Sequence, residues 1–400
     1  MRIGFLFNHD QVHQVAHSLP IALALARGRP DLEIIVATTN RRLSAEVIRL
    51  ADGMIGAGLR LVELGLKPGA SRTMANALEA LIPAGKLLVY RDNLDFFRSL
   101  DVLVVAEKTS LLLKTRYGLK DLKIVHTRHG AGDRAIGFDK ASAGFDHVLV
   151  SGPKIRERLI SDAGVDPRTI SVVGYPKFDL APPRPSLPFV DDRRPVVLYN
   201  PHVSPHLSSW YDEGRAVLDW FVEHDEYQLI FAPHVMLFER PFVVTIDKLR
   251  IDRAGRIADK YLRAENIHID LGSRASTTMT YTQRADLYLG DVSSQVYEFL
   301  LHPRPCVFLN THRFEWRGDP NFTHWRAGPV IERAADLGAA LVHAQEEHET
   351  IWRPVQEELF NQSFDLTPEP SSARAARALA RFAGLDWPEP VAAPTMAVAG

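Results

Sequence analysis

Short apolar runs alternate with longer stretches of helical spacing through the first 180 residues. "RIGFLF", "EIIVAT", "RLVEL", "DVLVVA", "KIVHT" and "HVLVS" read as strands, and "ISVV" follows them. Runs with little polar alternation are expected of strands covered on both faces. Between them, residues 18–28, 41–51 and 71–100 have helical spacing or helix-forming composition. This alternation predicts a parallel sheet with helices on each side.

The pattern breaks at residues 181–195, "APPRPSLPFVDDRRP", which hold five prolines and no apolar period. They read as a linker. Alternation then restarts with "VVLYN", a helix near 210–223, "YQLIFA", a basic helical region, "IHIDL", "ADLYLG", a helix near 294–301 and "CVFLN". Residues 328–382 look mainly helical, and the segment beyond has no period. The expected organisation is an N-terminal α/β domain at 1–180, the linker at 181–195, a C-terminal α/β domain at 196–384 and a loose tail at 385–400. Two such domains form a cleft, and loops at the carboxyl ends of parallel strands face it. Chemistry is therefore expected just after strands.

Composition narrows the class. With 400 residues, two domains are the natural division. A net charge of -2 gives no reason to expect nucleic acid as a partner. The one cysteine, Cys306, sits in an apolar run and reads as a small core residue. A reducing cytoplasm suits a chain without internal disulfides. The start "MRIGFLFNHD" reads as a first strand rather than a signal peptide. No segment approaches the ~20 apolar residues needed to span a bilayer. Residues 240–263 carry seven Lys or Arg against three Asp. They read as a solvated helix face or a surface for anionic lipid at the inner face of the cytoplasmic membrane.

Several strand ends carry candidate chemistry. "KIVHTRHGAGDR" holds His126 and His129 at the end of a strand, where side chains alternate, so the two point opposite ways and make a poor metal pair. His126 reads as scaffold. His129 is released beside Gly130 and Gly132, which let backbone approach a ligand, and a histidine there suits a general base. Asp133 and Arg134 follow as cleft residues without an assigned role. "GYPKFD" is a turn that offers Lys177. "VVLYNPH" delivers Asn200 and His202, and "LIFAPH" delivers His234. "ADLYLGDVSSQ" ends a strand at Gly290. Asp291, Ser293, Ser294 and Gln295 then open a helix and read as a phosphate cradle or as helix caps, two compatible roles. His9, His13 and His17, spaced by four, suit a polar surface facing the cleft and an acceptor better than a metal site.

In order along the chain, "HTRHGAGDR", "GYPKFD", "YNPHVS", "LIFAPH" and "GDVSSQVYEFLLHPRPCVFLN" resemble the motifs of the bacterial CDP-glycerol glycerophosphotransferases, the teichoic-acid primases and polymerases. The resemblance spans roughly residues 100–310. It implies a glycosyltransferase-B fold: α/β, with two Rossmann-like domains facing a cleft. It also implies His129 as general base, His234 at the donor pyrophosphate, and Asp291, Ser293 and Ser294 at donor phosphate or glycerol. The donor would be CDP-glycerol or another nucleotide-activated compound, the acceptor a hydroxyl of a cell-envelope glycan or lipid, and neither cofactor nor metal is expected. The chain departs from the family at "AGDR" and "NPH". Nucleotide-sugar glycosyltransferases and UDP-sugar 2-epimerases share the architecture and remain alternatives.

Overall fold

The computed structural model describes residues 1–8, 12–66, 84–128, 130–180, 187–189, 193–239, 242–245 and 250–388. The first domain is a seven-stranded parallel sheet. Its strands are β1 (Arg2–Phe7), β2 (Glu33–Thr38), β3 (Leu59–Glu63), β4 (Val102–Val105), β5 (Lys123–Thr127), β6 (His147–Val150) and β7 (Ile170–Val172), in the order β3-β2-β1-β4-β5-β6-β7. The inner strands are buried almost end to end, which is why they read as unbroken apolar runs, while the edge strands β3 and β7 are partly exposed. Two apolar clusters cover the sheet, one on each face.

The second domain begins with β8 (Val196–Asn200) and β9 (Gln228–Phe231), and a hairpin of β10 (Val243–Thr245) and β11 (Arg250–Asp252) follows. It continues with β12 (Ile267–Ile269), β13 (Leu287–Gly290), β14 (Cys306–Leu309) and β15 (Val330–Ile331). Its parallel sheet runs β12-β9-β8-β13-β14-β15. Cys306 lies in that core. Each sheet reverses its strand order once, between β1 and β4 and between β8 and β13. Ligand crevices of open α/β sheets form outside the strand ends at such points. In the second domain Asn200 and Gly290 are register partners, so the two strand-end loops leave side by side.

The basic region differs from expectation. Among its described residues it forms the β10–β11 hairpin, loops and a five-residue helix at Asp259–Arg263, not one long basic helix. The region read as a solvated helix face or a lipid surface therefore has a different shape. Gly255, with φ 78°, supplies a left-handed turn in its middle. Among the described residues no helix is long and apolar enough to cross a membrane.

The domain boundary is also corrected. After the second sheet, helices Leu337–Glu346 and Arg353–Ser363 lead the chain back to the first domain. The last helix, Ser371–Phe382, buries Ala375, Ala376, Leu379 and Ala380, an i, i+1, i+4, i+5 stripe. That stripe packs on helix Val15–Gly28 and joins the cluster of Leu19, Ala22, Leu23 and Ala26. Residues 385–388 dock there as well. Arg29 Nη1 donates to the Asp386 carbonyl at 2.6 Å, and a Cβ on Gly28 would lie 2.5 Å from the Trp387 ring. The returning backbone crosses at Gly152, where a Cβ would lie 2.5 Å from the Ser363 carbonyl. Ser151 Oγ donates to that carbonyl at 2.8 Å.

Candidate active site

A cleft of about 660 Å³ separates the two sheets' carboxyl ends. Loops after β1, β4 and β5 form one wall, and loops after β8, β9 and β13 form the other. His13, His17, Gly130, Asp133, Arg134, Lys177, His202, His234, Ser293, Ser294 and Gln295 all line it. His9 and His129 lie outside the described residues, although Arg128 and Gly130, which flank His129 in the chain, both line the cleft.

The glycine motif of the first domain meets the serine motif of the second. Gly130 takes φ 79°, and a Cβ on it would lie 3.6 Å from Ser294 Oγ. One on Gly132 would lie 3.2 Å from Ser294 Cβ. The glycines thus admit the opposite domain. His126 is buried, stacks on Phe145 at 4.4 Å and bonds the Ala106 carbonyl at 3.2 Å.

Three nitrogens converge in the cleft as donors. His202 Nδ1 accepts the Ser204 amide at 2.9 Å, and His234 Nδ1 accepts the Met236 amide at 3.3 Å. Burial pushes the His234 imidazole down to about 4. Burial, with Arg134, His234 and His206 adding repulsion, pushes His202 well below the usual histidine range. Both rings are therefore neutral near pH 7, and with Nδ1 accepting, each proton must sit on Nε2. The rings lie 5.9 Å apart between centroids. Arg134 Nη1 lies 3.3 Å from His202 Nε2. Both groups can donate to one ligand oxygen that rests against the two together.

Other predicted residues build this site from behind. Asn200 is buried and gives Nδ2 to the Ala232 carbonyl at 2.6 Å, while its Oδ1 accepts from Ser293 Oγ at 2.6 Å. Gly290 lies against the Tyr288 ring, where a Cβ would approach to 2.6 Å. Asp291 is 1% exposed, and its carboxylate accepts the amides of His202, Ser209 and Val292 and the Ser209 hydroxyl. Burial pushes Asp291 up to about 6 against the pull of those bonds. Its carboxylate holds the His202 loop in place, at the back of the cleft wall. The helix expected to present a dipole to phosphate is Gln295–Phe299, only five residues long, with Ser294 at its cap position making no side-chain cap bond. So short a helix has little macrodipole, and side chains and hydroxyls must supply the attraction.

Two buried clusters of charge join the walls, one by an ion pair and one by bonds to a shared carboxylate. Lys177 Nζ lies 2.7 Å from Glu298 Oε1, which also accepts the Tyr175 hydroxyl at 3.0 Å. Lys177 is thus a neutralised cleft charge. Asp133 pairs with Lys154 at 2.7 Å and accepts from the Tyr297 hydroxyl at 2.6 Å and from His324. Burial alone would raise Asp133. The Lys154 charge and the bonds from His324 and Lys154 outweigh it and hold the carboxyl well below its usual range. Lys154, Tyr297, Glu298 and His324 were not singled out from the sequence. Lys154 follows the end of β6 and is within reach of the strand-end rule; His324, in the 3-10 helical segment Pro320–Ala327, carries no periodic signal.

No family model and no curated protein matches this sequence. Solved structures match its fold along nearly the whole chain. The UDP complex of S. aureus MnaA is 13% identical with TM-score 0.60, over 97% of this chain and 98% of that one. UDP-GlcNAc 2-epimerase from Neisseria meningitidis, bound to UDP-GlcNAc, is 12% identical with TM-score 0.57, over 95% and 99%. The wall teichoic acid polymerase TagF, soaked with CDPG, is 13% identical with TM-score 0.54, over 96% and 86%. Together with the two parallel sheets and their facing strand ends, this likeness establishes a glycosyltransferase-B fold, two Rossmann-like domains facing a cleft.

Proposed function

We propose that the cleft binds a nucleotide-activated donor by its diphosphate and transfers the activated group to an acceptor hydroxyl. The observation that carries this reading is the convergence of Arg134 Nη1 and the Nε2–H groups of His202 and His234, all donors, beside Ser294. One guanidinium among neutral donors suits phosphate oxygens, whose charge builds on the departing nucleotide. Three of the structures that share the fold are complexes or soaks with UDP, UDP-GlcNAc or CDPG, which supports a nucleotide donor.

The finer reading is a CDP-glycerol glycerophosphotransferase-like enzyme, supported by the ordered motifs and by the fold shared with TagF. His129 then takes the proton of an acceptor hydroxyl as its oxygen attacks the glycerol-bearing phosphorus, and CMP departs. Positioning and charge stabilisation carry most of such a displacement. The acceptor is a cell-envelope glycan or lipid, reached from the cytoplasmic face.

The competing reading is a UDP-sugar 2-epimerase, favoured by the fold matches to such enzymes. That chemistry needs acidic groups to move protons. Of the carboxylates lining the cleft among the described residues, Asp133 and Glu298 are engaged in buried ion pairs, and Glu107 is the third. Purified protein incubated with CDP-glycerol and a phosphoglycerol-bearing lipid should release CMP. Conversion of a UDP-sugar with no CMP release would sink the glycerophosphate reading. Full activity in His129→Ala would remove the base assignment alone.

A further inference from the structure

The contacts of His324 leave its imidazole one protonation state. Nδ1 lies 3.0 Å from Asp133 Oδ2, and Nε2 lies 2.9 Å from the Asp291 carbonyl oxygen. A backbone carbonyl only accepts. Asp133 is ionised under the Lys154 charge, so its oxygen only accepts too. Both ring nitrogens must therefore donate, which requires both protons. The ring is buried, so a missing proton would leave a nitrogen facing an oxygen with no water to intervene.

The pair spans the domain boundary, and both its ends lead to the phosphate donors. Asp133 directly precedes Arg134 in the loop after β5. Asp291, whose carbonyl also accepts the Trp325 indole at 2.7 Å, holds the His202 amide with its carboxylate at 2.9 Å. His202 in turn faces Arg134 at 3.3 Å. The contacts close a ring: Arg134, Asp133, His324, Asp291, His202 and back to Arg134.

We propose that Asp133 and a doubly protonated His324 form an interdomain ion pair that positions Arg134 against His202 and so sets the spacing of the donor groups for phosphate. The positioning role rests on the nucleotide-donor reading; the protonation state does not. The other groups facing the pair are Lys154 on Asp133 Oδ1, the Tyr297 hydroxyl on Oδ2, and Arg158, which donates to the Asp133 carbonyl. Lys154 also lies 3.8 Å over the Tyr297 ring. None of these supplies an acceptor in place of Asp133. Both Asp133 and His324 are positioning residues.

Two measurements on the full chain test this. Long-range proton–nitrogen NMR at neutral pH reads the His324 ring, assigned by difference against His324→Gln, or against His324→Asn if the glutamine variant fails to fold. Two protonated nitrogens are expected, and a neutral tautomer with one bare nitrogen overturns the proposal. Calorimetric titration with CDP and with inorganic pyrophosphate reads the positioning. Asp133→Asn and His324→Gln, folded by circular dichroism, should each bind both probes about tenfold more weakly or worse. Wild-type affinity in both variants overturns the positioning role. Two protonated nitrogens in a wild-type protein that binds neither probe sinks the nucleotide-donor reading and the positioning with it, and leaves the ion pair standing.

Discussion

Arg134 brings a guanidinium to the point where two half-buried imidazoles present their Nε2 protons. Replacing it with alanine removes a charged hydrogen bond to the ligand, worth ~1.5–3 kcal/mol, or about 10–100-fold in affinity. Calorimetry with UDP or CDP should show that loss, and an unchanged dissociation constant would place the phosphates elsewhere. The histidines act through neutrality. His234 is pushed down to about 4 in the fold, against an ordinary histidine value of 6.5. Below about 6.5 the unfolded chain therefore binds more protons than the folded one, and stability falls as pH drops from about 6.5 to 4. The upper bound for this one group is ~3 kcal/mol. Asp291, pushed up to about 6, has the opposite sign: its contribution favours the fold in acid and is lost as pH rises through 6. Urea midpoints measured across this range should thus show a steeper loss on acidification in Asp291→Asn than in wild type. The same substitution turns one accepting oxygen into a donor toward the Ser209 or His202 amide and should cost about 1–3 kcal/mol near neutrality.

At the scale of elements, the site is made by loops that leave parallel strands at two crossover points. The strand-end rule located them because the buried polar residues of β5 and β8 gather at their carboxyl ends and those of the β13 loop follow Gly290 directly. What pattern could not show is which strand-end residues point into the cleft. Asn200 and Asp291 looked like ligand groups and instead serve the loops behind it. Polar strand-end residues satisfy backbone amides as readily as they bind substrate, and only the fold decides which. The Gly132–Ser294 approach is an element-level constraint. Valine at 132 must push Ser294 and its short helix away, because even a Cβ there would lie 3.2 Å from Ser294 Cβ. We expect Gly132→Val to remain folded and to lower the affinity for CDP about tenfold or more, and an unaffected titration would show that the domains do not meet here in solution.

On the scale of the whole molecule, buried charge fastens the domains. Lys177 and Glu298 are both nearly inaccessible. Lys177→Met alone leaves the Glu298 carboxylate without its cation and should destabilise by ~3–5 kcal/mol. The double variant Lys177→Met with Glu298→Leu should recover much of that loss, since well-packed apolar pairs can replace buried ion pairs. Thermal unfolding of the single and double variants checks the difference; equal melting points would show that the pair contributes packing only. The final helix fastens the chain in another way. Leu379→Ala should cost ~2–5 kcal/mol and act on the first domain's core, where that side chain is fully buried.

The amino-acid sequence by itself determined the two parallel α/β sheets and the strand-end addresses of the described cleft residues; most of the proline-rich segment at 181–195 lies outside the described residues. The sheets and the addresses follow from local periodicity and burial, which neighbouring residues encode. Only the tertiary structure decided that the last helix returns to the first domain, that the basic region carries a hairpin, and that Asp133 meets His324 across the boundary. The first and last of these depend on contacts between residues far apart in the chain, and no short-range pattern records them. Arg134, without a role in the sequence, is brought to 3.3 Å from His202 of the other domain, and the proposed role rests on that contact.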